Sequence, residues 1–144
     1  MIFLDEDAMQ SKNLLLSVKP AYANLLVDGI KTIELRRKFP VDLVPGTKCI
    51  IYASSPTQKV IGECKIKTVK RLKIDDLWKE SSIEAMISWE DFKKYFVGSE
   101  YGYAIHVYAA HRYSKEILLN KLGKDLLAPQ SYRYLPQAEQ SAII

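Results

Sequence analysis

Cysteine and histidine are scarce in this sequence, with two of each. Cys49 and Cys64 stand in separate apolar, strand-like segments, so no disulfide framework is implied and both read as buried thiols of a reducing compartment. His106 and His111 have no CxxC or HxxxH partner spacing, which argues against a metal centre. No cofactor is expected either. The six glycines form no phosphate-cradling loop, and no serine occupies the strand-turn-helix elbow of a hydrolase triad. Long apolar runs are absent too, so nothing is able to span a bilayer as a helix. The apolar start Met1-Ile2-Phe3-Leu4 breaks at once on Asp5-Glu6-Asp7, which excludes a secretory core there. A cytoplasmic protein without membrane attachment is the expectation. Internal repeats and low-complexity tracts are also missing.

What is present suits one domain. The chain has 144 residues, 48% of them hydrophobic and 26% charged, enough to build a core without a covalent staple. A formal charge of +4 and a pI of about 9.0 favour anionic partners without identifying one.

Residues 1–12 mix apolar and acidic side chains without a period and are expected to be a loosely ordered lead. Leu14-Leu15-Leu16-Ser17-Val18 reads as a buried strand. Lys19-Pro20 then starts a helix, since proline suits the first helical position, and Tyr22, Leu25 and Leu26 follow at helical spacing. Gly29 falls where a left-handed cap is wanted. From Lys31 to Phe39, apolar Ile33, Leu35 and Phe39 alternate with Thr32, Glu34, Arg36 and Lys38, the period of a half-buried strand. Pro45-Gly46 turns the chain into a strand over Cys49–Ala53, and a fourth strand is expected over about Val60–Val69. Ile74–Glu80 and a segment capped by Ser88 read as helices. Tyr101–Tyr108 reads as a strand, and Ser114 as the cap of a last short helix over Ile117, Leu118 and Leu122. Residues 129–135 read as a loop, followed by a polar tail over 136–144. Short strands interrupted by helices in no βαβ rhythm predict an α+β fold, a mixed barrel of about five or six strands with flanking helices.

The segment Gly29-Ile30-Lys31-Thr32-Ile33-Glu34-Leu35-Arg36-Arg37 carries the most chemistry. Glu34 and Arg36 share one pleat face, close enough for the guanidinium to hold the carboxylate ionised and oriented. Strand parity puts Lys31 on the opposite face, so a bulge or bend is needed to bring it to Glu34. A second basic concentration, Lys65, Lys67, Lys70, Arg71 and Lys73, is diluted by Glu63, Asp75 and Asp76 and reads as a solvated edge rather than a phosphate track. The abundant tyrosines read mainly as core and rim packing.

Gly29-x-Lys31-x-x-Glu34-x-Arg36 matches the GxKxxExR signature of ASCH domains, placed between the first helix and the second strand. Leu16-Ser17-Val18-Lys19-Pro20, Ile51-Tyr52-Ala53-Ser54-Ser55-Pro56 and Gly102-Tyr103-Ala104-Ile105 fit the same pattern. The closing Pro129-Gln130-Ser131-Tyr132-Arg133-Tyr134-Leu135 resembles the tail of a small stand-alone subgroup associated with bacteria and phages. The resemblance spans about residues 14–135, and the domain is expected over residues 13–135.

It implies a PUA-like barrel with a cleft beside the signature, where family members are proposed to bind RNA. The expected partner is RNA or a nucleotide-derived small molecule, with a protein partner as a further reading. The expected contacts are Lys19, Lys31, Glu34, Arg36, Tyr52, Ser54, Ser55, Ser131, Tyr132 and Arg133. In this reading Lys31 and Arg36 meet phosphate or base acceptors, and Glu34 accepts from an exocyclic amine. Tyr52 and the Ser54-Ser55 turn shape the floor, and Tyr132 and Arg133 close over the ligand. The alternative is a small hydrolase using Lys31 and Glu34, either a ribonuclease or an amidohydrolase on N4-acetylcytidine-like nucleosides. That amidohydrolase group uses a threonine nucleophile at the position held here by Glu34, so the nucleophile is missing from this chain.

Overall fold

A computed structural model describes residues 13–135; the expected N-terminal lead and C-terminal tail lie outside the described residues. Six strands and three α-helices follow one another as β1 (Asn13–Val18), α1 (Pro20–Val27), β2 (Ile33–Arg36), β3 (Lys48–Ala53), β4 (Lys59–Lys73), α2 (Ile74–Ala85), α3 (Trp89–Tyr95), β5 (Tyr101–Ile117) and β6 (Tyr132–Leu135). A single 3-10 turn, Leu119–Lys121, separates β5 from β6. The strands form one mixed sheet in the order β2-β5-β4-β3-β1-β6. Among the described residues only β1 and β3 pair in parallel. The expected α+β class holds.

The apolar runs of β1 and β3 are continuous rather than alternating because both faces are buried. Leu14, Leu16 and Val18 join Cys49, Ile51 and Ala53 in the main core beneath α1. Leu15, Ile50 and Tyr52 face the other way, into a second core closed by Leu122, Leu126 and Leu135. A third core sets Ile33 and Leu35 of β2 against Leu77, Phe92 and Phe96 of the two later helices. Those two positions fix the outward face of β2. Glu34 and Arg36, one residue out of phase, therefore turn toward the inside of the curved sheet.

Backbone pairing leaves β2 and β6 as the two edges of the sheet. The side chain of Arg36 spans between them. From β2 it donates to the Ser17 carbonyl of β1 at 2.7 Å and to Ser131 Oγ, next to β6, at 3.3 Å. The roll is thus completed by a guanidinium where no ladder exists.

Several expected boundaries move. The segment from Ser114 to Ile117 is the end of β5, not a capped helix, because it pairs with β4 up to Val60↔Ile117. Cross-strand bonding there overrides the local capping signal of serine. Tyr132–Leu135 is a strand rather than a loop, paired antiparallel with β1. β4 runs on to Lys73 and α2 to Ala85, each longer than its sequence pattern. Ser88 caps α3 as expected, its Oγ accepting from the Asp91 N–H at 3.1 Å.

Candidate functional site

The turn after α1 delivers the first functional side chain. Gly29 adopts φ +74°, which glycine takes without steric cost. Its N–H donates to Leu26 O at 3.1 Å and the Ile30 N–H to Leu25 O at 3.0 Å, the paired bonds of a Schellman cap. Lys31 leaves this cap before β2 begins, so strand parity does not govern it. The parity conflict between Lys31 and Glu34 is resolved by that bend. Lys31 Nζ lies 3.4 Å from Glu34 Oε1, 5.0 Å from the centre of the Tyr22 ring, and donates to the Ala85 carbonyl at the end of α2.

Glu34 is the hub. Its Oε2 receives Arg36 Nε at 2.9 Å and NH2 at 2.8 Å, while Oε1 faces Lys31. Lys31, Glu34 and Arg36 are only 3%, 6% and 7% exposed, yet all three border one open hollow of about 1170 Å³. Burial pushes the Lys31 ammonium below the ordinary lysine value, and the neighbouring Glu34 carboxylate pulls it partly back.

The rim is built by three elements. Lys19 and Tyr22 come from the start of α1, Arg37 and Lys38 from the end of β2, and Asp91, Lys94 and Tyr95 from α3. Tyr22 donates its hydroxyl to Asp91 at 3.4 Å, and burial followed by that carboxylate raises its pKa. The Arg37 N–H donates to the Tyr95 hydroxyl at 3.3 Å, and its guanidinium lies 4.8 Å from the centre of that ring. Six basic side chains face the hollow against two carboxylates.

Among the expected contacts, Lys19, Lys31, Glu34, Arg36, Ser54 and Ser131 gather here. Tyr52 does not shape the floor: its position on β3 turns it into the second core. Ser55 is exposed beyond the lining. Tyr132 packs on Phe39 with ring centroids 5.0 Å apart, and Arg133 donates to the Tyr134 carbonyl; neither lines the hollow. Tyr22, Arg37, Lys38, Asp91, Lys94 and Tyr95 were not foreseen. Tyr22, one turn into the helix that precedes the signature, and Arg37 and Lys38, which directly follow it, carried a usable sequence signal. The α3 residues reach the site through tertiary packing. Neither histidine lines the hollow, and among the described residues no cluster of three or more His, Cys, Asp or Glu side chains is placed to hold a metal ion. No helix among them is long and apolar enough to cross a membrane.

Comparison with known proteins identifies the family and the fold. The family model for the ASCH domain matches residues 16–121. A Zymomonas mobilis protein named as an ASCH domain-containing ribonuclease is 29% identical over 142 residues, spanning 96% of this chain and 94% of that protein. The crystal structure of ASCH from Zymomonas mobilis superposes with a TM-score of 0.86 at 26% identity, covering 92% of this chain and 94% of that one. The human THYN1 protein, solved in complex with DNA containing 5-methylcytosine, shares the fold at a TM-score of 0.56 and 14% identity, covering 92% and 95%. The chain is a member of the ASCH domain family with a PUA-like fold.

Proposed function

We propose that the hollow beside the GxKxxExR segment binds RNA or a nucleotide-derived small molecule. The observation that carries this reading is the excess of cations over carboxylates around one open concavity, which favours a polyanion. The ring of Tyr95, backed by Arg37, offers a stacking surface of the kind that holds unpaired bases. We place the functional unit in residues 13–135 and its setting in the cytoplasm, where Cys49 and Cys64 stay reduced.

A second reading, RNA phosphodiester cleavage, is favoured by the near full-length likeness to a protein named as a ribonuclease. Burial that lowers the Lys31 pKa makes it a better proton acceptor than a solvated lysine. The acetylcytidine amidohydrolase reading has no such support. Thr32, the nearest threonine, points its Oγ1 to Glu84 at 3.5 Å and is not in the lining.

Incubating the full chain with end-labelled single-stranded RNA, at low and high salt, tests both readings at once. Binding that weakens steeply with salt is expected, and shortened products identify cleavage. Acetylated cytidine run in parallel is expected to stay unchanged. Absence of RNA binding at low salt, with no product, would overturn the RNA reading and favour a protein partner.

A further inference from the structure

The floor of the hollow holds more positive charge than its own carboxylate neutralises. Lys31 and Arg36 supply two cations, Glu34 one anion, and all three are more than nine-tenths buried. A buried surplus charge is costly unless an opposite charge meets it. Hydrogen bonding has the same polarity. Glu34 already receives Lys31, Arg36 Nε and Arg36 NH2, three of about four acceptor positions on a carboxylate. Lys31 has one ammonium hydrogen beyond those given to Ala85 and Glu34, with only the Tyr22 ring, 5.0 Å away, as its further neighbour. Arg36 retains one NH1 hydrogen without an acceptor among the described residues. Ser131 Oγ accepts from Arg36, so its own hydrogen is left to donate. Donors outnumber acceptors among the unspent groups at the floor, with one Glu34 acceptor position left against three hydrogens.

We propose that this floor is a phosphate subsite, in which Lys31, Arg36 and Ser131 donate to one phosphoryl group of the nucleotide. Glu34 is a positioning residue that holds both cations on the floor and takes no part in proton transfer. The assignment rests on the nucleotide reading above and deepens it. It also reverses the role expected for Glu34, which has little acceptor capacity left for an exocyclic amine. Guanidinium and ammonium donors to a phosphoryl oxygen are charge-assisted bonds, the strong kind. The phosphoryl group has two sources, a chain end or an internal diester; both present non-bridging acceptor oxygens, the chain end more of them and with more negative charge.

The test is competition against labelled single-stranded RNA on the full chain. The competitors are adenosine, AMP, and adenylyl-adenosine with 2′-O-methyl groups to prevent cleavage. At least one phosphate-bearing competitor is expected to displace RNA at about tenfold lower concentration than adenosine, or better. Preference for AMP marks a chain-end site, and preference for the dinucleotide an internal one. Ser131→Ala removes a contact made at 3.3 Å only and is expected to keep the fold. It should weaken the preferred phosphate competitor about threefold or more and leave adenosine unchanged. Glu34→Gln should likewise weaken the phosphate competitor.

If RNA binds but adenosine competes as well as both phosphate compounds, the subsite is wrong while the nucleotide reading stands. If neither RNA nor any competitor binds, the nucleotide reading itself fails. Turnover lost in Glu34→Gln with phosphate affinity intact would make Glu34 the proton-transfer group and overturn its positioning role.

Discussion

Arg36 Nη1 lies 3.3 Å from Ser131 Oγ, although the two residues stand 95 positions apart in sequence, Arg36 on one edge strand and Ser131 next to the other. The same guanidinium reaches the Ser17 carbonyl and Glu34. One side chain therefore ties the two edges together and forms the floor of the hollow, which makes stability and binding inseparable there.

Arg36→Ala is accordingly expected to cost about 3–5 kcal/mol, because it leaves the buried Glu34 carboxylate without its main partner. Arg36→Lys keeps the charge but not the fan of donors, and should recover only a minor part. Urea unfolding of the three proteins measures this. A loss below about 1 kcal/mol in Arg36→Ala would show that the guanidinium does not hold the edges together.

Lys31 makes a prediction about alkaline pH. Burial lowers its pKa below the ordinary 10.5, so between the lowered value and 10.5 the unfolded chain binds more protons than the folded one. Stability must then rise with pH across that window, as the buried ammonium loses its charge. Below the window both states are protonated and the penalty is constant. RNA affinity should move the opposite way, falling as the surplus floor charge disappears. Unfolding midpoints and RNA titrations against pH, with Lys31→Met as control, check both slopes; the control should lose this contribution to each.

Much of this site was legible because its signals are local. The glycine cap, the proline at the start of α1 and the Glu34/Arg36 spacing all act within a few residues, and all hold in the structure. What escaped the sequence depends on distant pairing. Tyr132–Leu135 is a strand only because β1, more than a hundred positions earlier, offers an edge. Asp91 and Tyr95 reach the hollow only because Phe92 and Phe96 dock α3 on the back of β2. Tyr52 was misplaced for a related reason: β3 is buried on both faces, so no polar-apolar alternation marks which side a tyrosine takes.

Gly62 sits on β4 beneath α1. A methyl group there would collide with the His111 backbone carbonyl and come within 2.6 Å of Val27 Cγ1. A backbone obstacle cannot rotate away, so Gly62→Ala should destabilise by about 1–3 kcal/mol or more. Gly102→Ala meets only side chains, Leu77 at 2.5 Å and Phe96 at 2.6 Å, and should cost less if those rings and branches shift. Thermal melts rank the pair. The opposite order would mean that the β4–β5 pairing yields more easily than the core beneath α2 and α3.

Cys49 and Cys64 face each other in register on β3 and β4, both free and 1% exposed. The Cys64 contact and burial raise the Cys49 pKa, and the thiolate is the reactive form. A disulfide-exchange reagent should therefore leave the native protein unmodified over minutes and titrate two thiols once urea is added. Rapid native modification would mean that this region opens far more often than the rest of the core.

The rim lysines separate charge from architecture. Lys19, Lys38 and Lys94 border the hollow on exposed backbone, and Lys94 has only a distant partner, Glu90 at 3.9 Å. Exposed ion pairs of that kind contribute little to stability. If RNA crosses this rim, each lysine that meets a phosphate releases a counterion, and the slope of log affinity against log salt falls by about one when it is neutralised. Lys38→Gln and Lys19→Gln should each flatten the slope by about that amount, weaken all RNA sequences alike, and leave the unfolding free energy within about 0.5 kcal/mol of the parent. A slope that ignores both substitutions would place the RNA path away from this rim, while Lys65→Gln and Lys67→Gln on the outer face of β4 would then be the positions to compare.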